Sequence, residues 1–163
     1  MHGGGLLVIG RKFGKIMVRT FRYVWAVPYS TVGLALALLS VPFGVKARVV
    51  EGAVEVACGR FFAGAVKLPC PLRFSAITFG HVIFGESYDT LDRLRAHEHV
   101  HVRQYERWGL LFIPLYLGSS LLQLLRGRNP YLENRFEREA FEHAFAVNTE
   151  LSPQMRVIAR NGK

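Results

Sequence analysis

Negative charge is scarce in this chain, and at its start there is none. Of 163 residues, 12 are Asp or Glu against 21 Lys or Arg, and the first 22 positions contain no acid at all. Charged residues make up 20% of the chain while 50% are apolar, which excludes a disordered, solvating polypeptide. Cysteine is nearly missing. Cys58 and Cys70 are the only two, so a disulfide-framed mini-domain is excluded. The pair either bonds or remains as two thiols, and it is too small and too widely spaced for a zinc framework. There is no internal repeat, which excludes a solenoid, and no length for two catalytic domains.

Charge is missing altogether from Tyr23 to Val45, 23 residues in a row. As a helix this run would extend about 34 Å at 1.5 Å per residue, enough to cross a hydrocarbon core. Arg11, Lys12, Lys15, Arg19 and Arg22 lie just before it, whereas residues 46–163 hold 16 bases and all 12 acids. Over half of the net +9 therefore adjoins an apolar segment and is not interleaved with a nucleic-acid motif. A lipid surface is the expected anionic partner, and nucleic acid is not. Tyr23, Trp25 and Tyr29 stand where interfacial aromatics belong, and membrane helices tolerate residues such as Pro28, Pro42, Gly33 and Gly44. The upstream bases place the N-terminus in the cytoplasm, and no small-x-small site marks a removable signal peptide. A helix or hairpin buried in a soluble core is the alternative.

Beyond Ala47 the pattern shortens. Ala47–Glu51, Ala53–Ala57, Phe61–Leu68 and Ile77–Gly85 read as strands of a small antiparallel sheet, separated by Glu51-Gly52, Cys58-Gly59 and the prolines Pro69 and Pro71. From Tyr88 the period turns helical, with Asp89 as N-cap, Leu91, Leu94, Glu98, Val102 and Tyr105 recurring at three and four, and an end near Trp108-Gly109. A second uncharged run, Trp108–Leu125, reaches about 27 Å as a helix, short for a free span. Asn129 and Pro130 then open a final helix running to about Asn148.

Chemistry concentrates at His97-Glu98-His99-Val100-His101, which contains H-E-x-x-H. On a helix, His97 and His101 lie one turn apart on one face and can ligate a single zinc ion. Glu98, rotated by about 100°, stands beside the metal as a general base toward its water. His97, His99 and His101 would also share one face of a strand, and His99-x-His101-x4-Glu106 resembles the cupin metal motif. The flanks contain few strand formers, and the closing glycine of that motif is missing.

An open zinc site needs a third protein ligand, and the segment from Asn134 to Ala140 offers Glu137 and Glu139. Here H-E-x-x-H, followed downstream by E-x-x-A, resembles the gluzincin metallopeptidases, including the membrane-embedded heat-shock protease and the CAAX prenyl protease. The extension His101-x-x-Gln104 recurs in small bacterial members of that group. The likeness covers residues 97–104 and 134–140. It implies one zinc ion held by His97, His101 and Glu137, Glu98 as catalytic base, a peptide or protein substrate, and a cell membrane, the inner one in bacteria. Phe141 stands where the family has an acid. That departure motivates the alternative of a membrane-bound metal-binding protein without turnover.

His97, His101 and Glu137 must converge, so Trp108–Leu125 cannot be a single straight crossing. It is expected to be a hairpin arm, an interfacial helix or a core helix. Gln104, on the same helical face as His97, is a candidate for orienting water or a ligand. His81, Tyr131 and His143 are candidates for stabilising an oxyanion, His81 from the last strand. The expected fold is α+β: a basic segment 1–22, a membrane helix or hairpin 23–45, a zincin-like domain 46–150 and a tail 151–163.

Overall fold

The computed structural model describes residues 23–59 and 75–151. The basic segment 1–22, the expected strand Phe61–Leu68, Cys70 and the tail beyond Leu151 lie outside these residues. The fold is α+β. Helix α1, Tyr23–Phe43, ends in a 3-10 turn over Val41–Phe43 that is closed by left-handed Gly44. Four strands follow, β1 (Lys46–Val50), β2 (Ala53–Ala57), β3 (Ala76–Phe79) and β4 (Val82–Gly85), and then helices α2 (Tyr88–Trp108), α3 (Phe112–Leu125) and α4 (Arg135–Leu151).

The sheet is mixed, in the order β1-β2-β4-β3, which corrects the expectation of an antiparallel one. Glu51 and Gly52, both at positive φ, make the tight turn between β1 and β2. The expected strand Ile77–Gly85 is two strands. Gly80, at φ 60°, reverses the chain with His81, so that β3 and β4 form an antiparallel hairpin. β4 then pairs in parallel with β2, which leaves β3 at one edge of the sheet among the described residues.

α2 begins two residues earlier than Asp89 would place it. Ser87 is the cap, its hydroxyl accepting the Thr90 amide at 3.2 Å, while Asp89 sits in the first turn near the positive end of the helix dipole. Leu91 and Val102 pack against Ala53 and Ile83 of the sheet. Tyr105 packs with Ala26, Phe112 and Phe136, joining all four helices in a second cluster. Gly109, at φ 52°, ends α2, and an added Cβ there would meet the Trp25 indole.

α1 lies along this body on a narrow stripe of small residues. Ala26, Ser30, Gly33, Ala37 and Ser40 recur at three and four, the spacing of one helix face. An added Cβ on Gly33 would stand 2.8 Å from the Val82 side chain, so only glycine permits this approach. The other faces of α1 expose Val24, Val27, Val32, Leu34, Leu38 and Leu39. Among the described residues two helical stretches, Tyr23–Phe43 and the continuous Tyr88–Leu125, are long and apolar enough to cross a membrane.

Glu55 ties β1, β2 and α2 together. Its buried carboxylate accepts from Arg95 at 2.9 and 3.1 Å and from Arg48 at 2.8 Å, and Asp92 bridges the two guanidiniums from outside. Burial by itself would raise its carboxyl pKa, but Arg95 and Arg48 outweigh this and hold it below the ordinary carboxylate range. Because the folded value lies below the unfolded one, this stability is present at neutral pH and is lost as acid titrates through the folded value. Glu55→Gln should therefore cost about 1–3 kcal/mol at pH 7 and reduce the acid-side slope of stability, read by denaturant titration at several pH values.

Candidate metal centre

α2 presents His97 and His101 one turn apart, as the spacing requires, with Nε2 atoms 3.2 Å from each other. α4 brings Glu137 between them. Its Oε2 is 3.2 Å from His97 Nε2, and its Oε1 is 3.4 Å from His101 Nε2. All three residues are buried, and their ligand atoms lie within 4.8 Å of one another. In a tetrahedral site with bonds of about 2.0–2.2 Å, ligand atoms stand about 3.3 Å apart. The three separations match that edge length. Glu137 Oε2 is buried with no hydrogen-bond donor, its approach to His97 being a contact without hydrogen-bond geometry. An orphaned buried oxygen facing two imidazole nitrogens is a donor set for a cation. The group can hold a divalent metal ion.

Glu137 is a carboxylate at neutral pH. Burial by itself would raise its pKa, but the facing imidazoles of His101 and His97 and the Tyr116 hydroxyl hold it at about 2. The Tyr116 hydroxyl donates to Oε1 at 2.7 Å. Burial keeps Tyr131 un-ionised well above neutrality, so it remains a donor.

The path back to the histidines depends on α3. Only Phe112 of this helix is buried, so it is not a core helix. α4 turns back beside its middle, as a hairpin partner. Asn134, fully buried, donates to the Tyr116 carbonyl at 3.0 Å and to Ser120 Oγ at 2.7 Å, while its own Oδ1 accepts the Phe136 amide. Ser119 Oγ accepts the Arg135 amide. Asn134 thereby caps α4, which starts about one turn later than expected. Asn129 caps only the preceding turn, accepting the amides of Tyr131 and Leu132. Asn134-x-x-Glu137 is the N-cap signature that would have located this start in the sequence.

The other candidates separate cleanly. Glu98 is buried and accepts from Thr78 Oγ1 at 2.8 Å; no spacing rule singles out Thr78. Gln104 holds His101, its Oε1 lying 2.8 Å from Nδ1, and does not reach toward the water position. Glu139, the rival ligand, points away from the ion site and accepts from the Gln104 amide at 3.0 Å. Phe141, where an acid was expected, packs its ring 4.7 Å from that of His97. His99 faces away, toward Glu51 at 3.9 Å, and the helical backbone here removes the strand register that the cupin motif needs.

Glu98, His97, His101 and Glu137 line a cavity of about 150 Å³ with Ala76, Ile77, Thr78 and Phe79 of β3, Phe112, Ile113 and Tyr116, and Tyr131. Neither His81 nor His143 lines it. His81 sits in the β3–β4 turn, its Nδ1 2.9 Å from Ser30 Oγ, its Nε2 3.3 Å from Glu106 and its ring stacked on Tyr23. It fastens α1 to the sheet. His143 lines a separate cleft between α2 and α4.

Metal content distinguishes the two glutamates. Glu137→Ala should weaken binding of a divalent cation by at least about 100-fold, while Glu139→Ala should stay within about tenfold, measured by chelator competition on the purified full-length protein.

No family model, curated protein or solved structure matches the chain.

Proposed function

We propose that the protein is a zinc-dependent, membrane-associated peptidase with a zincin-type centre. The observation that supports this most is the tetrahedral-edge spacing of His97 Nε2, His101 Nε2 and Glu137 carboxylate oxygens, with Glu98 buried beside them. Zinc bound there would supply a water of lowered pKa, available as hydroxide near neutrality.

The chain's own groups have definite tasks. Glu98 accepts the proton of the attacking water and returns it to the leaving amine; Thr78 ties down Oε2 and leaves Oε1 for that exchange. Tyr131, the one oxyanion candidate of the three that lines the cavity, donates its hydroxyl to the developing oxyanion. The substrate lies extended along β3. Ile77 and Phe79 face β4 in the ladder, as the Glu86 amide to Ser75 carbonyl bond and the strand register require, so Ala76 and Thr78 turn their backbone groups to the outer edge. The Thr78 carbonyl is taken by the Tyr105 hydroxyl at 3.1 Å. Among the described residues the Ala76 amide and carbonyl have no strand partner on that edge, and a substrate strand would pair with them there.

The lipid association rests on exposed apolar surface. α1 presents leucines and valines outward, and α3 with its leading turn exposes Leu110, Leu111, Leu115, Leu117, Leu121, Leu122, Leu124 and Leu125. An apolar patch this extensive is foreign to a monomer in water. α3 also supplies Phe112, Ile113 and Tyr116 to the cavity wall, which sets the reaction centre against the lipid-facing helix.

Glu98→Gln should abolish hydrolysis of a peptide substrate, by at least about 1,000-fold, while the protein still binds one zinc ion per chain. Cleavage that survived this change or excess chelator would overturn the assignment. Tyr131→Phe should lower kcat by about 10–100-fold with KM and zinc content little changed.

A further inference from the structure

Gln104 is 2% exposed and uses every hydrogen-bonding group of its amide. Its Nε2 donates to the Phe136 carbonyl and to Glu139 Oε2, each at 3.0 Å, and its Oε1 lies 2.8 Å from His101 Nδ1. The carbonyl and the carboxylate only accept, so the NH2 end must lie toward them. The oxygen that then faces His101 also only accepts. Nδ1 must therefore bear a proton, and in the neutral imidazole Nε2, the atom turned toward His97 and Glu137, retains its lone pair.

We infer that Gln104, backed by the Glu139 carboxylate, is the positioning residue that fixes the tautomer and ring orientation of His101. The clamp joins α2 to α4, so the same amide that orients one ligand histidine also holds the helix that brings Glu137. Glu139 polarises the amide from its far end and strengthens Oε1 as an acceptor. The two ligand histidines are held by different means, since His97 has the Phe141 ring against it where His101 has a polar clamp. Such outer hydrogen bonds to a ligand histidine are worth about 10–100-fold in metal affinity. The affinity consequence rests on the metal site proposed above; the tautomer does not.

Two measurements on the full-length protein in detergent micelles separate the claims. Nitrogen-15 NMR of the metal-free wild type at neutral pH should give a slowly exchanging proton on His101 Nδ1, and Gln104→Met, nearly the same volume, should lose it. Zinc affinity by chelator competition should fall by about 10–100-fold in Gln104→Met. It should fall by no more than about threefold in Glu139→Gln, whose amide oxygen still accepts from Gln104. A wild-type His101 protonated at Nε2 with Nδ1 bare overturns the inference whatever the variants do. So does a Gln104→Met protein that keeps the Nδ1 proton and loses only thermal stability, or one that binds zinc as the wild type does. A wild type that binds no zinc, yet has the Nδ1 proton and loses it in Gln104→Met, upholds the tautomer assignment and removes the peptidase reading.

Discussion

Two imidazoles and a carboxylate converge in the interior of this protein, all three nearly inaccessible to solvent. Desolvating such groups is costly unless something replaces the water. Part of the compensation is visible in the Tyr116 hydroxyl that donates to Glu137 and in the amide that faces His101. The remainder is the space among His97 Nε2, His101 Nε2 and Glu137 Oε2, where an oxygen has no donor and a divalent cation would satisfy all three at once. Much of the rest of the architecture can be read as the means of keeping those atoms together.

The supports come from every layer of the fold. The sheet contributes Thr78, which holds the neighbouring carboxylate of Glu98, and the Thr78 carbonyl that anchors Tyr105. α3 contributes Tyr116 and the polar notch of Ser119 and Ser120 that seats the start of α4. A helix dominated by exposed leucine thus positions the Glu137 carboxylate. In an apolar setting those few hydrogen bonds have little water to compete with, which makes them efficient at fixing where a chain turns back. α1 takes part only at its edge, through a stripe of small residues and the Ser30–His81–Glu106 chain.

Much of the site could be read in the sequence because its logic is local. H-E-x-x-H at helical spacing needs only the 3.6-residue period to bring His97 and His101 to one side, and the E-x-x-A likeness pointed to Glu137 over Glu139. The errors came where a local signal had a competitor nearby. Asp89 is a good N-cap, but Ser87 lies two residues ahead in extended backbone with its hydroxyl free to bond Thr90. Asn129-Pro130 looks like a helix start, yet its capping bonds close a turn, and the start belongs to Asn134, whose partners lie on another helix. The sequence reads His81 as part of a strand running through Gly80, but the positive φ of that glycine makes a hairpin and carries the histidine out to α1.

By itself the sequence determined which side chains can carry chemistry and which segments avoid water, since both follow from residue type and from periods of two or 3.6 along a single element. Tertiary structure alone decided that β4 lies parallel to β2, that α4 folds back beside α3, that Phe141 backs His97 while Gln104 and Glu139 clamp His101, and that β3 forms the cavity's edge. Those outcomes depend on contacts between residues tens of positions apart. Their free energies come from shape and shared hydrogen bonds, which no spacing along one chain segment encodes.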